Sequence, residues 1–363
     1  MAESKSPTVY DVAREADVSI ATVSRVLRVP EKVSAATRER VLLAVRRLGY
    51  VPNASARGLA DRRTGVLGLL IPGHDIPATS RHLPAEEGAP AAVEFLDDRD
   101  GRQADPYRNR YFEQLVRGAE AAAWRAGYAL LVAAGTSVSR DVVMHDLAGR
   151  VDALAVVART VPDELLRGSI GRTPMVTVAG EGGPGADAVR VDNRGGMSAL
   201  VRHVLAVKPP GPVLYLAGPP DSPDAAGRAR GFHDAIADQD VPWSTAMADF
   251  TWQGGHDAVA AQLEEEIPAA VIGANDQSAL GAMAALREGG VDVPGTCVVT
   301  GFDGIDESRY STPTLTTVRQ PMIDLGICAV ELLLRRLADP EAAPRDLQLP
   351  VDVLLRTSCG PLG

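Results

Sequence analysis

The stretch TVYDVAREADVSIATVSRVL, residues Thr8–Leu27, has the pattern of two short helices joined by a tight turn. Thr8 is suited to cap the first helix, and Asp11 in its first turn complements the helix dipole. Asp17-Val18-Ser19 interrupts the apolar spacing, and Ser19 is placed to cap the second helix. A helix braced by a shorter one across a turn is an arrangement that a major groove accepts. The stretch therefore predicts a DNA-reading helix pair, with a helix pair from any small bundle as the alternative.

The predicted second helix has an outer face of small, polar and basic side chains, namely Ile20, Ala21, Thr22, Ser24 and Arg25. The guanidinium fork of Arg25 matches guanine O6 and N7, a contact worth about 1–3 kcal/mol of discrimination. Ile20 and Ala21 cannot donate a hydrogen bond, so they can read only shape and thymine methyl groups. Ser19, Thr22 and Ser24 are predicted to contact phosphates, which positions the helix without specifying sequence.

The composition is that of a folded chain of two or three domains, with 363 residues and 45% hydrophobic side chains. Its three cysteines, Cys297, Cys328 and Cys359, are far apart and form no CxxC pair, so we expect neither a disulfide framework nor a metal site. We also expect no cofactor. No signal peptide precedes the helix pair, and no apolar run reaches the roughly 18 residues of a membrane span. These features predict a cytoplasmic protein with no membrane partner.

The net charge of −10 is unevenly distributed along the chain. Residues 1–63 hold 12 Lys and Arg against 7 Asp and Glu, whereas the remainder holds 25 basic against 40 acidic residues. A basic head on an acidic body concentrates the attraction for phosphates at one end. The asymmetry supports DNA binding by the head, although an ordinary domain can carry such a balance by chance.

The segment that follows the helix pair, VSAATRERVLLAVRRLGYVPNASARGLA at residues 33–60, extends the pattern. Together with Thr8–Leu27 it closely resembles the amino-terminal domain of the LacI/GalR family of bacterial transcription regulators. The resemblance implies an all-α helix-turn-helix DNA-binding domain at residues 1–52 and a hinge helix with linker at 53–63. In the family, such hinge helices pair across a dimer axis in the minor groove. On that basis Asn53, Ala56 and Leu59 are assigned to DNA, with Leu59 as an apolar wedge.

From Gly65 onward, short apolar runs alternate with amphipathic helical stretches. The predicted strands are Val66–Ile71, Ala129–Ala134, Leu154–Ala158, Met175–Val178, Val213–Leu216, Ala270–Ile272 and Cys297–Thr300. The predicted helices are Phe112–Ala126, Gly196–Val207, Gly227–Asp238, Gly255–Glu266, Ser278–Gly289 and Met322–Ala338. This alternation indicates two doubly wound parallel sheets covered by helices, with a ligand cleft at the carboxyl ends of the strands.

The same region resembles the family's two-lobed, periplasmic-binding-protein-like effector domain, in stretches such as VRVDNRGG, GRARGF, GANDQSALGAMAAL and VTGFDG. The resemblance implies one effector-binding and dimerisation domain at residues 64–363. Its N-lobe is expected at about 64–207 and 322–349, and its C-lobe at about 208–318 and 350–363. An insertion at 73–108, with eight acidic and four basic residues, departs from the family pattern. We interpret it as a surface excursion, with a lid over the pocket as the alternative.

The resemblance also points to a set of effector-binding residues: Tyr111, Phe112, Ser222, Asp224, Arg228, Phe250, Asn275 and Asp303. Carboxylate, amide and guanidinium groups can bind hydroxyls or ring nitrogens, while aromatic faces can stack on a sugar or a base. Taken singly, Asp303 could be a turn residue, Phe112 and Phe250 core residues, and Arg228 an ion-pair partner. The acidic Asp224 would disfavour an anionic ligand and suit a neutral polyol.

The sequence therefore predicts a homodimeric repressor that binds a near-palindromic operator and is switched by a small-molecule effector, a sugar or sugar derivative. Whether the effector releases DNA or favours its binding is left open. P-loop, GxSxG and HExxH motifs are absent from the sequence, and we expect no catalytic residues and no enzymatic activity. The alternative is a stand-alone sugar-binding protein or a sugar-processing α/β enzyme, which would leave the basic head without a role. The prediction places the protein in the cytoplasm, associated with the nucleoid.

Overall fold

A computed structural model describes residues 7–28, 32–50, 63–72, 111–135, 140–158, 173–180, 186–208 and 210–360. The chain separates into two compact units, Met1–Thr64 and Gly65–Gly363. Among the described residues, none of the helices is long and apolar enough to cross a membrane. The predicted hinge residues and the 73–108 insertion lie outside the described residues.

The first unit is a three-helix domain made of α1 (Val9–Glu15), α2 (Ile20–Arg28) and α3 (Ala35–Leu48). Its helix ends follow the polar signals in the sequence, since Ser34 Oγ accepts a hydrogen bond from the Thr37 amide at 3.3 Å. The left-handed Gly49 ends α3, as a residue without Cβ can do at little cost. The buried core of this unit consists of Val12, Ala13, Ala16, Val23, Val26, Val41 and Ala44. Residues three or four positions apart lie on one face of a helix, so each of the three helices buries one apolar stripe in this core.

The first lobe of the second unit contains a six-stranded sheet. Its strands are β1 (Val66–Pro72), β2 (Ala129–Gly135), β3 (Ala153–Val157), β4 (Met175–Val178), β5 (Asp187–Val191) and β11 (Asp346–Leu349). They lie in the order β11-β5-β4-β3-β1-β2 and all pair in parallel. Among the described residues, the helices that pack on this sheet are α4 (Tyr111–Arg125), α5 (Arg140–Ala148) and α11 (Met322–Ala338).

The second lobe repeats this plan. Its strands are β6 (Val213–Ala217), β7 (Trp243–Met247), β8 (Ala270–Gly273), β9 (Val298–Asp303), β10 (Thr316–Arg319) and β12 (Asp352–Leu354). Their order is β12-β10-β9-β8-β6-β7, and only β12 is antiparallel to its neighbour. The helices are α6 (Asn193–Val207), α7 (Pro223–Ile236), α8 (Trp252–Glu265), α9 (Asp276–Glu288) and α10 (Asp306–Tyr310).

Within the part of the chain that the structure describes, three passages join the lobes, after β5, after β10 and after β11. The first passage differs from the sequence prediction, which kept residues up to Val207 in the N-lobe. Met197, Leu200, Val201 and Val204 of α6 are instead buried in the core of the second lobe, beside Val213 and Tyr215. The first passage is therefore at Asp192-Asn193, because the apolar face of α6 packs on the second sheet.

Candidate functional site

The outer face of α2 in the first unit is available to a partner. Ile20, Ala21 and Arg25 are exposed there, while Thr22 and Ser24 are half-buried. Ser19 Oγ accepts a hydrogen bond from the Thr22 amide at 3.1 Å and so caps the helix. This surface carries the side chains that the sequence predicts to contact DNA. Their contacts with DNA stay a prediction, as do those of Asn53, Ala56 and Leu59, which lie outside the described residues.

Arg228 is the centre of a buried polar cluster in the second lobe and is only 2% exposed. Its Nη1 lies 2.7 Å from the carbonyl oxygen of Ala274 and 3.1 Å from Asp303 Oδ1. Its guanidinium carbon lies 3.9 Å from the ring centroid of Phe302, in cation–π geometry. A guanidinium can be buried at this depth because a carboxylate, a carbonyl and an aromatic face replace its water shell.

Asp303 is the last residue of β9, where ligands bind in parallel α/β sheets. It is 8% exposed, and its Oδ1 also accepts a hydrogen bond from Gln320 Nε2 at 2.7 Å. Its φ of 121° is unfavourable for a residue other than glycine. Strained residues of this kind cluster at functional sites, so the geometry favours a ligand role for Asp303 over that of an ordinary turn residue.

Phe250 and Asn275 lie beside Arg228 and are joined to each other. Asn275 Nδ2 donates to the carbonyl oxygen of Phe250 at 3.0 Å, while Asn275 Oδ1 caps α9 by accepting from the Ser278 amide. The Phe250 ring lies 5.4 Å from the Arg228 guanidinium carbon and packs so closely on Gly218 that a Cβ there would be 2.2 Å from the ring. Phe250 also has a positive φ of 60°. The loop thus holds an aromatic ring against the guanidinium.

The start of α7 completes the cluster on its other side. Asn193 Oδ1 accepts from Arg228 Nε at 2.9 Å, and Asn193 Nδ2 donates to Asp224 Oδ1 at 2.7 Å. Ser222 lies at the same helix end, but its hydroxyl is already a cap, accepting from the Ala225 amide at 3.2 Å. The structure therefore brings Asp224, Arg228 and Asp303 into one hydrogen-bonded chain, with Ser222 at its edge.

A second buried carboxylate, Asp276, organises the loop after β9. It accepts the amides of Gly304 and Ile305 at 2.9 Å each, and the hydroxyl of Thr317. Burial raises the pKa of Asp276 to about 8, and the neighbouring Asp303 adds to this. Burial likewise raises the pKa of Asp303 to about 6, against the opposing attraction of Arg228. Burial thus disfavours the charged form of both carboxyls, and the attraction of Arg228 opposes this effect at Asp303.

The structure places the two predicted aromatic residues of the first lobe at the start of α4. Phe112 is half-buried and packs against the first-lobe core, and Tyr111 begins α4, with its side chain outside the described residues. A cavity of about 180 Å³ separates Glu113, Gln114 and Arg117 of α4 from the segment that begins at Asp303. Ligand sites usually measure roughly 300–1,000 Å³. This cavity between the lobes could therefore hold only part of a ligand, and Asp303 is the member of the polar cluster that lines it.

Four residues of this region were not among the predicted site residues: Asn193, Asp276, Phe302 and Gln320. Asn193 lies inside the stretch VRVDNRGG, and Phe302 and Asp276 lie beside the predicted Asp303 and Asn275. Adjacency to a predicted residue was thus the available signal for Asp276 and Phe302, and for Asn193 the signal was the stretch that resembles the family. For Gln320 no local signal exists, because its partner Asp303 is 17 residues away.

Two segments of the chain match known families. Residues 8–53 match the bacterial regulatory proteins of the lacI family, and residues 212–359 match the periplasmic binding protein-like domain. The chain is 32% identical over 346 residues to the HTH-type transcriptional regulator GalR of Escherichia coli K12, covering 93% of this chain and 91% of GalR.

Solved structures extend the match in three dimensions. The Lac repressor dimer bound to operator and the anti-inducer ONPF superposes with a TM-score of 0.76 at 27% identity, over 98% of this chain and 100% of that one. The complex of the transcriptional regulator CelR with cellobiose gives a TM-score of 0.65 at 26% identity, over 97% and 99% of the two chains. Both comparisons span the head and the two lobes.

Proposed function

The chain belongs to the lacI family of bacterial regulatory proteins, and from this premise we propose that it is a homodimeric repressor whose operator affinity is set by a sugar bound in the second unit. One observation carries the proposal: a single chain joins a DNA-reading helix pair to a buried Arg–Asp–Asn cluster at the carboxyl ends of parallel strands. The Lac repressor, similar along nearly the whole chain, forms a dimer on its operator. A two-fold dimer of this chain would read a near-palindromic site.

In the proposed complex, α2 lies in the major groove and Arg25 provides the direct hydrogen-bond readout. Ile20 and Ala21 face the bases, and Ser19, Thr22 and Ser24 face phosphates. The family resemblance supports a hinge in which Asn53, Ala56 and Leu59 contact the minor groove. A short hinge helix is marginal alone and gains its stability from its partner and from DNA. Ligand binding can thus control DNA affinity by changing how readily the two hinges pair.

The chemistry of the cluster favours a neutral, hydroxyl-rich ligand. Arg228, Asp303 and Asn275 offer charged and amide groups to hydroxyls, and Phe250 offers an aromatic face. Asp224 adds a negative charge at the start of α7 that would repel a phosphate or carboxylate ligand. The binding of cellobiose by CelR is consistent with a sugar. The proposal covers both signs of control, release of the operator or tighter binding to it.

We infer that this regulator acts in the cytoplasm and that it has no catalytic activity. A regulator that reads genomic DNA functions in the cytoplasm, at the nucleoid. The relatives reported above are transcription regulators, and the cluster serves in the proposal as a binding site with no catalytic role. A stand-alone sugar-binding protein or sugar-processing enzyme would have no use for the exposed reading face of α2.

Operator binding by the full-length protein tests the first half of the proposal. Fluorescence anisotropy on DNA from upstream of the protein's own gene should show salt-sensitive, sequence-specific binding. Arg25→Ala should weaken it about 5- to 150-fold, the equivalent of 1–3 kcal/mol. Arg14→Ala, an exposed arginine of α1, is the matched control and should stay within about twofold of wild type. Equal losses in both variants, or no specific binding, would favour the stand-alone sugar-binding alternative.

The hinge has its own test. Leu59→Ala should lose operator affinity while ligand binding stays intact, because the wedge acts on DNA alone. Unchanged operator affinity would remove the wedge from the proposal.

Thermal-shift measurements test the second half. The panel contains D-glucose, D-galactose, cellobiose, their available phosphates and the nucleobase hypoxanthine. A neutral sugar should raise the Tm of the protein, since a ligand that binds only the folded state stabilises it. The sugar phosphates should not, because of Asp224. Stabilisation by hypoxanthine alone would replace the sugar with a nucleobase.

A further inference from the structure

The three passages between the lobes are the segments that must bend when the lobes reorient. Two of them carry a buried polar side chain at the point of passage. Asn193 is the first residue of α6, directly after the passage from β5. Gln320 follows β10 directly and precedes the start of α11 at Met322. Hinge motions are absorbed by a few residues at element ends of this kind.

Both of these side chains connect to Arg228. Asn193 Oδ1 accepts from Arg228 Nε at 2.9 Å. On the other side, Arg228 Nη1 lies 3.1 Å from Asp303 Oδ1, and Gln320 Nε2 donates to that same oxygen at 2.7 Å. Asn193 is 9% exposed and Gln320 3%, so water competes little for these bonds. The side chains of Asn193, Arg228, Asp303 and Gln320 thus form one hydrogen-bonded series, which we term the relay. It connects the first passage to the second.

We propose that Asn193 and Gln320 are positioning residues that tie two of the lobe passages to the Arg228–Asp303 pair. A ligand that engages this pair then shifts both passages together. The effect of a ligand on the two passages rests on the proposed function. The mechanical link itself is independent of any ligand.

Local structure does not require these side chains. The start of α6 is already capped by Asp192, whose Oδ1 accepts from the Gly195 amide at 2.8 Å. The backbone of Gln320 is already held, because its amide donates to the carbonyl oxygen of Asp303 at 3.1 Å. The side-chain amides of Asn193 and Gln320 therefore add links toward Arg228 beyond what the helix and the strand need.

Asn193 at the first passage has the side chain that can hydrogen-bond to both of its neighbours, Arg228 and Asp224. The oxygen of Asn193 accepts from the guanidinium, while its NH2 group donates to the carboxylate of Asp224 at 2.7 Å. An aspartate at this position would place one carboxylate against another, and an alanine would leave both neighbours without this partner. An amide is the group that can serve a cation and an anion at once.

Hydrogen–deuterium exchange on the full-length dimer tests the relay without any ligand. In Asn193→Ala, the amides of Gln320 and Met322 at the second passage should exchange about five- to tenfold faster, although Asn193 does not hydrogen-bond to either. Gln320→Ala should in turn speed exchange of the Asp192 amide at the first passage. The matched control is Asp192→Ala, which removes the cap of α6 but leaves the relay in place, so faster exchange should stay within the start of α6.

If one of the two variants does not fold, hydrogen exchange in the other variant still tests the relay. If the change in Asn193→Ala stays within α6, as in the control, and Gln320→Ala leaves the first passage unchanged, both residues have only local roles and the relay is wrong. Failure of the proposed function gives a different result. In that case D-glucose, D-galactose and cellobiose leave the wild-type operator Kd unchanged, while the exchange pattern still reports on the relay.

Discussion

In both lobes a six-stranded sheet carries helices on its two faces, and the strands follow corresponding orders from edge to edge. Each lobe also contains a pair of helices in close contact through glycine. A Cβ at Gly118 of α4 would lie 2.0 Å from the Ile323 carbonyl oxygen, and one at Gly281 of α9 would lie 1.9 Å from that of Trp252. The backbones approach where no side chain intervenes. The two lobes are thus alike in their architecture.

The lobes differ in where their buried charges lie. In the first lobe, Asp187 begins β5 and pairs with Arg336 at 2.7 Å and with Arg335 at 3.4 Å, which holds the end of α11 in place. In the second lobe, Arg228 and Asp303 meet at the carboxyl ends of the strands. Buried charge alone therefore does not identify a ligand site. The position of the Arg228–Asp303 pair at the carboxyl ends of parallel strands is what favours a ligand site in the second lobe.

The largest expected effect follows from removing the cation of the second lobe. Arg228→Ala leaves the Asp303 carboxylate buried without its partner and should lower the free energy of unfolding by about 3–5 kcal/mol. Urea unfolding measures the loss. The double variant Arg228→Ala/Asp303→Ala should lose less than the sum of the single variants, because no unpaired charge remains. A loss below about 1 kcal/mol in Arg228→Ala would mean that this pair contributes no more to stability than an exposed ion pair does.

The corresponding change in the first lobe should cost less. Asp187→Ala removes the acceptor of Arg335 and Arg336, whose side chains are 24% and 14% exposed and can turn to water. We expect a loss of about 1.5–3 kcal/mol, the range of hydrogen bonds to charged groups. Operator and sugar binding by the folded protein should not change. If this variant no longer responded to sugar, the claim that only the buried charges of the second lobe serve the ligand would be contradicted.

The smallest effect concerns pH. The pKa of Asp276 is raised from an ordinary 3.8 to about 8, so between these values the folded chain binds the proton more tightly than the unfolded chain. Stability therefore falls as the pH rises through this window. Asp276→Asn should remove this loss, since an amide can accept from Gly304 and donate to Thr317. Between pH 5.5 and 8, wild type should lose about 2 °C or more of Tm relative to this variant, and parallel curves would contradict the assignment.

The sequence predicted those features of the fold that depend on residues close together in the chain, and it missed features that depend on tertiary packing. The helix starts at Thr8 and Ser19 lie where the polar signals place them, because caps act over three or four residues. Apolar runs predicted β1, β2, β3, β4, β6, β8 and β9, but the prediction missed β5 and β10 inside the sheets and β7, β11 and β12 at their edges. The mostly exposed sequence WSTAM of β7 shows why, since an edge strand needs no continuous apolar run. The first lobe passage was misplaced for a similar reason. The apolar face of α6 fits either sheet, and only tertiary packing decides between them.

For the candidate site, the resemblance supplied Arg228, Asp303, Asn275 and Phe250, and the structure brings these together. It could not supply the connections between them. Asn193 and Gln320 hydrogen-bond to partners 35 and 17 residues away, and although Asn193 lies in a stretch that resembles the family, nothing in the local sequence of either residue indicates these contacts. Residue roles that arise from long-range hydrogen bonds become visible only once the strands are in register.

The central claim is that a sugar bound to the second-lobe cluster sets operator affinity, and one measurement tests it directly. Fluorescence anisotropy gives the operator Kd of wild type, Phe250→Ala and Trp243→Ala with and without D-glucose, D-galactose or cellobiose. Trp243 is the matched aromatic control, at the opposite end of the same sheet and 44% exposed. We predict that one sugar shifts the wild-type and Trp243→Ala Kd at least about fivefold and leaves Phe250→Ala unchanged. An equal shift in all three proteins, or no shift in wild type, would contradict the account.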